Sequence, residues 1–286
     1  MCGVTTATAG VLRVLGPRDL AEVRALLARD PVSHCFVASR VLTSGLDTWR
    51  MGGELWGWTE DGELTSLLYL GANLVPVETT PEARRAFADR CRRIGRRCSS
   101  IVGPYDDVAV LWSMLADSWG PARDIRASQP VMVIERDAPV RVPADPLVRR
   151  VREDEIDILM PACVAMFTEE VGVSPLAGGG ADPYRARIAE LVRSGRAFAR
   201  IEDGRVITKA EVGAVGDGVC QVQGVWTAPE LRGRGLGLAA MGQVVSLARE
   251  ITPTVSLYVN DFNVVARHVY ERVGFHQTAT FSTVLF

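Results

Sequence analysis

Lysine is almost missing from this chain: Lys209 is the only one, although lysine and arginine together number 32. With no Gly-Lys-Ser/Thr triplet there is no P-loop, which excludes the common nucleoside-triphosphate cradle. The single lysine is read as the codon usage of a GC-rich genome rather than as a binding requirement. Histidine is scarce too, and His34, His268 and His276 form no ligand pair at useful spacing. The cysteines (Cys2, Cys35, Cys91, Cys98, Cys163 and Cys220) show no C-x-x-C spacing, so no metal is expected and reduced thiols are expected over a disulfide framework. No apolar run reaches the ~18 residues of a membrane span, and residues 1–16 lack the apolar core of a signal peptide. The expectation is a cytoplasmic protein without a membrane partner. A formal net charge of -2 gives no sign of nucleic-acid binding.

What is present suits a soluble protein with a substantial core: 286 residues, 48% hydrophobic and 23% charged, a length that favours two domains. The most informative stretch runs from Val225 to Leu238. A β-rich run ends in Val225, Trp226 and Thr227. Pro229 and a loop with Arg232, Gly233, Arg234, Gly235 and Gly237 follow, and then an apolar segment in which Met241, Val244, Val245 and Ala248 share one helical face. Strand, glycine loop and helix together hold an anion well. Glycine lets the backbone approach closely, and the first free N–H groups of the helix point at the ligand with the positive end of the dipole. Arg232 and Arg234 can add charge-assisted hydrogen bonds. The stretch reads as a diphosphate cradle. A dinucleotide fingerprint is the competing reading, because Gly235-x-Gly237-x-x-Ala240 fits its looser form and Asp261 stands about 20 residues on. Against it, Pro229 and two arginines separate the glycines from the strand. A plain turn is the blandest alternative.

The segment downstream decides between these. Arg232-x-x-Gly235-x-Gly237 resembles the Arg/Gln-x-x-Gly-x-Gly/Ala signature of the GNAT N-acetyltransferases. Val255 to Asn260, followed by Asn263-x-x-Ala266-x-x-x-Tyr270 and Gly274-Phe275, is similar to that superfamily's second block. The resemblance extends from near Leu147 to Phe286. It implies an α/β (α+β) fold with a mixed, mostly antiparallel twisted sheet flanked by helices, acetyl-CoA as donor and CoA as product. It further implies that the diphosphate rests on Arg232, Gly233, Arg234, Gly235, Leu236 and Gly237. The pantetheine arm would follow Val225, Trp226 and Thr227, an edge splayed from the strand Val255 to Val259. Asn263 would contact the cofactor as well as capping its helix, and Tyr270 would touch the cofactor and serve as acid. Helices expected over Asp154 to Phe167 and from Pro183, with the loop Gly172 to Gly180 as lid, would line the acceptor pocket.

The N-terminal half reads as a dilute copy. Asp61-Gly62 lies between β-prone runs as Asp203-Gly204 does, and Thr80-Pro81-Glu82 stands where Ala228-Pro229-Glu230 stands later. Asp107 to Trp119 parallels Asn263 to Val273. Two tandem GNAT-like domains are therefore expected: residues 1–138, a linker at 139–146 containing three prolines, and residues 147–286. Two unrelated α/β domains are the alternative. The first copy has no glycine cradle and is expected to bind no cofactor.

Acetyl transfer needs a proton donor for the leaving thiolate and a neutral amine. Tyr270 is the candidate acid, with a core aromatic as its bland reading. Glu211, Glu170 and Glu169 are candidate bases, with solvated surface charge as theirs. The expected function is transfer of an acetyl group to a primary amine of a small molecule or peptide by direct attack. A non-catalytic CoA sensor is the rival, and a homodimer stays open. Trp49, Trp56 and Trp58 wall either an apolar pocket or a core.

Overall fold

Two Asp-Gly pairs turn the hairpins around which both halves are built. In the computed structural model, which describes residues 10–286, Asp61 and Gly62 have φ of 49° and 86°, and Asp203 and Gly204 have 49° and 70°. Two consecutive positive φ values make the tight turn whose twist matches that of the strands it joins. Cys2 lies outside the described residues; the other five cysteines are buried and take part in no disulfide. The chain divides into two compact units. The first comprises Met1–Val131 with Ala279–Phe286, and the second Met132–Thr278.

In the first unit β1 (Val11–Val14) pairs with β2 (Glu54–Glu60) after the helices α1 (Leu20–Leu27), α2 (Cys35–Ser44) and α3 (Thr48–Met51). Strand β3 (Glu63–Leu70) completes the hairpin and pairs with β4 (Asn73–Val77). Helix α4 (Pro81–Ile94) crosses to β5 (Ser100–Pro104), parallel to β4, and α5 (Tyr105–Trp119) and β6 (Asp124–Ile134) follow, the last three residues of β6 belonging to the second unit. Neighbouring strand residues point to opposite faces, and here both faces are apolar. Leu55 and Leu67 pack with Val23, Val41 and Met51 of α1–α3, while Trp56 and Leu68 pack with Phe87 of α4 and Leu111 of α5. The three tryptophans of this region share no wall. Trp56 is fully buried, Trp58 is tied to Glu60, and Trp49 is exposed.

The second unit holds β7 (Arg149–Arg150), α6 (Ile156–Val171), α7 (Ala181–Arg193), β8 (Ala197–Glu202), β9 (Arg205–Val215), β10 (Val219–Thr227), α8 (Leu236–Arg249), β11 (Thr254–Tyr258) and α9 (Val264–Val273). The strands lie in the order β11-β10-β9-β8-β7, antiparallel except for β10 with β11. Ala210 and Val212 of β9 pack with Met241, Val244 and Val245 of α8 and with Tyr270 and Val273 of α9. Leu159 and Cys163 of α6 pack with Ile188 and Leu191 of α7 and Ala199 of β8.

Two expected boundaries move. Residues 139–146 are not a free linker, because their backbone is hydrogen-bonded into the second unit: Arg141 N–H to Val273 O at 2.9 Å and Asp145 N–H to Ala239 O at 3.0 Å. Val142 packs against Gly242 of α8, whose missing Cβ would lie 3.0 Å from Val142 Cγ2. Prolines make a segment extended, and an extended segment with satisfied donors can dock as well as link. The second move concerns β12 (His276–Leu285), which the sequence places wholly in the later domain. From Ala279 onward it belongs to the first unit, with Phe281 opposite Pro104 and Leu285 opposite Ser100 of β5. Thr283 Oγ1 donates to Gln129 Oε1 at 2.6 Å, and Phe286 packs edge-on against Trp112 and Trp119. Helix α6 runs four residues past Phe167, and α7 opens at Ala181 rather than Pro183. Among the described residues no helix is long and apolar enough to cross a membrane.

Candidate active site

The cradle is built by two left-handed glycines. Gly233 has φ 75°, and Gly235, with φ 78°, is the N-cap of α8 with no side-chain cap. A Cβ at either would meet nothing within 4 Å, so both face open space in front of the helix. Gly237 serves differently: a Cβ there would lie 3.1 Å from Thr227 Oγ1, and its absence lets α8 sit close to β10. Leu236 and Gly237 begin the helix, and their N–H groups belong to the first turn, which finds no partner inside a helix.

The two arginines are engaged by the chain's own acceptors. Arg232 donates through Nε to Thr227 O at 3.0 Å and through Nη2 to Glu169 Oε2 at 2.7 Å. Arg234 donates to Glu230 O at 3.3 Å. Both Glu169 and Glu170 stand on the last turn of α6, and they reach in different directions. Glu169 also accepts from Trp226 Nε1 at 3.3 Å, and Glu170 accepts from Asn260 Nδ2 at 3.1 Å. Consecutive carboxylates therefore touch the end of β10 on one side and the end of β11 on the other.

Between those ends the strands part. The parallel register of β10 with β11 runs only from Val219–Thr254 to Gln221–Ser256. Beyond it β10 stays paired with β9, Trp226 opposite Lys209 and Thr227 opposite Thr208, after an irregularity between Gln223 and Trp226. Gly224, with φ 60°, makes that bulge. Val225, Trp226 and Thr227 thus form a strand end with backbone groups on the side that β11 has left.

Asn263 caps α9 by accepting Ala266 N–H at 3.1 Å. Tyr270, one helical face further along, is buried and meets Phe275 edge-on with centroids 6.0 Å apart. Burial and the negative charge of Glu170 push its hydroxyl well above the usual tyrosine range.

Glu211 is buried beneath α6 and α7, in company that spacing alone does not reveal. Gln223 Nε2 donates to it at 2.7 Å, Lys209 Nζ stands 3.4 Å away and Arg187 Nη2 3.7 Å away. Burial pushes its carboxyl up, but Lys209, Arg187 and the Gln223 amide outweigh this and hold it below the ordinary value. Tyr184 and Cys163 complete the group, the tyrosine donating to Cys163 O at 2.9 Å. Burial raises both, the Cys163 thiol to about 11. Of these neighbours, only Lys209 and Glu211 left a sequence signal: two charges at i and i+2 in an otherwise apolar strand, hence on one face.

Residues 166–275 match the model of the acetyltransferase (GNAT) family, and residues 53–159 that of a domain of unknown function (DUF4081). No curated protein matches the chain by sequence. Solved structures match nearly end to end at low identity, which speaks for the fold alone. A tandem GNAT protein from the clavulanic acid biosynthesis pathway is 16% identical, with 96% of this chain and 98% of that one covered at a TM-score of 0.59. A GCN5-related N-acetyltransferase from Sphaerobacter thermophilus gives 16%, 98%, 96% and 0.59 in the same order. A Drosophila protein gives 14%, 96%, 98% and 0.68. The segment that carries the glycine cradle, the parted strands and Tyr270 is a domain of the GNAT acetyltransferase family.

Proposed function

We propose that the second unit transfers an acetyl group from acetyl-CoA to a primary amine of a small molecule or peptide, by direct attack of the amine. The observation that carries this is the pairing of an uncapped, glycine-opened helix start on α8 with a β10 end that β11 has left. The first fits a diphosphate. The second offers backbone groups to the amides of an extended arm, as an open strand edge does.

Bound there, acetyl-CoA supplies an activated acyl group and a thiolate leaving group. The chain's residues do the rest. Backbone N–H groups from Gly233 to Gly237 hold the diphosphate, with Arg232 and Arg234 at its flank. Val225, Trp226 and Thr227 orient the arm, and Asn263 fixes the start of α9 beside it. Tyr270 keeps its proton, because its hydroxyl is pushed up, and donates it as the C–S bond breaks. The amine gives up its proton to water or to a carboxylate. Glu211 is poorly suited to accept it, since a carboxyl held below the ordinary value is a weaker base. Glu170, tied to Asn260 and felt by Tyr270, is the better candidate. The first unit binds no cofactor in this reading.

Calorimetric titration with acetyl-CoA and CoA, with NAD as control, tests it. One site per chain and no NAD binding are expected. Two CoA sites would mean that the first unit binds as well, and no CoA binding would overturn the function.

A further inference from the structure

The bulge at Gly224 does more than bend β10. Its φ of 60° leaves the place of a side chain empty, and Lys209 fills it from the neighbouring strand. A Cβ on Gly224 would lie 3.0 Å from Lys209 Nζ, 3.1 Å from Met166 Cε and 3.2 Å from Glu211 Cδ. The only lysine of the chain thus reaches over the backbone of β10, with its side chain 1% exposed.

That position follows the proposed path of the acyl donor. The cradle holds one end, Val225 to Thr227 hold the arm, and the next residue of β10 away from the cradle is Gly224. We propose that Lys209 is a catalytic residue of the acetyl transfer, its ammonium facing the thioester carbonyl oxygen and stabilising the negative charge that develops there. This rests on the acetyltransferase reading above.

Charge favours the assignment. Glu211 is served by the half-exposed Arg187 guanidinium and by the Gln223 amide as well as by Lys209, so its carboxylate does not depend on the buried ammonium alone. Buried charge is costly unless a partner answers it. At 3.4 Å the ammonium is not drawn tightly onto Glu211, and lysine has three donors to share. A fixed cation in a dry site, aimed where charge appears only during reaction, is the arrangement that lowers a barrier most. The side-chain type also fits: an ammonium is a compact point charge on a slim stem, whereas a guanidinium is a broad plane.

The electron count is simple. The amine nitrogen forms the C–N bond with its lone pair, and the carbonyl pair moves onto the oxygen that Lys209 faces. That pair returns as the C–S bond breaks, and the sulfur leaves with the bonding electrons and takes the proton of Tyr270. The proton lost from nitrogen passes to water or to Glu170, and a proton from water restores the tyrosine. Lys209 keeps its own protons throughout.

Because there is one lysine, the full chain labelled with 13C,15N-lysine yields a single side-chain Nζ resonance. Saturating acetyl-CoA, without any amine, is expected to shift that resonance further than CoA does, because only the former carries the carbonyl. Equal shifts from the two, with binding of both shown by calorimetry, would overturn the proposal. Failure of both to bind would instead overturn the acetyltransferase reading itself. In K209M the rate of acetyl transfer should fall about 100-fold while CoA affinity stays within about threefold, and an undiminished rate in the folded variant would equally overturn the assignment. Should K209M not fold, the wild-type resonance decides.

Discussion

The two units open with one device and differ in another. In each, an arginine on the first strand pairs with a carboxylate at the start of the first helix: Arg13 with Asp19 at 2.8 Å, and Arg149 with Glu155 at 2.6 Å. Each carboxylate also accepts a backbone N–H three residues back, from Gly16 and from Arg152, both at 2.9 Å. The helix after the first strand of the parallel pair, β4 in one unit and β10 in the other, is where they part. Helix α4 is closed at its start: Thr80 Oγ1 accepts Ala83 N–H, and Pro81 has no N–H to offer. Helix α8 starts on a left-handed glycine with no side-chain cap. The same turn of chain is sealed by its own residues in one unit and carries no side-chain cap in the other.

The largest test of this contrast is Gly235→Val. A branched side chain at φ 78° is strained and would stand in the space before α8. CoA affinity measured by calorimetry should fall about 100-fold, roughly 3 kcal/mol. Next comes Tyr270→Phe, which keeps the buried ring. Acetyl transfer should slow by about two orders of magnitude while CoA binding is unchanged, and an unaltered rate would remove the tyrosine as acid.

The shared device can be probed by acid. Hydrogen bonding from Arg149, opposed by burial and aided by Arg152, holds the Glu155 carboxyl at about 2, against an ordinary 4.5. A depressed carboxyl stabilises the fold fully above its unfolded value and loses that contribution as pH falls through its folded value. Thermal unfolding of the wild type should therefore fall between about pH 4.5 and 2, and Glu155→Gln should flatten that limb for the second unit. Glu169→Gln sharpens the contrast in the opposite sense. It frees Arg232 from a half-exposed carboxylate, so CoA should bind a few-fold more tightly, in keeping with the modest worth of an exposed pair. The smallest effect is expected of Thr80→Ala: about 1 kcal/mol less stability in the first unit, with no change in CoA titration.

What the sequence disclosed and what it concealed follow from range. The glycine loop before α8, the Asp-Gly turns, the cap of Asn263 and the apolar face of α8 are each written within a dozen residues, and the structure shows each of these local features. The pairing of β12 with β5 joins residues far apart in the chain, and no local pattern announces it. The docking of 139–146 was hidden for the same cause, since prolines report conformation and not neighbours. Lys209 and Glu211 sit between these cases. Their alternation marked a shared face, but only the packing of α6 and α7 on that face made it a dry one, and only the glycine at 224 brought the ammonium over β10.

The placement of Ala279–Phe286 bears on how the protein is made. A ribosome emits the first unit's helices and its strands β1 to β5 long before it emits the strand that pairs with β5. At about 5–20 residues per second, that strand edge waits for roughly ten seconds or more while the whole second unit is synthesised. During translation the earlier unit is therefore the later one to finish. A lesion within Ala279–Phe286 would be felt first in the unit built mainly from residues translated well over a hundred positions earlier.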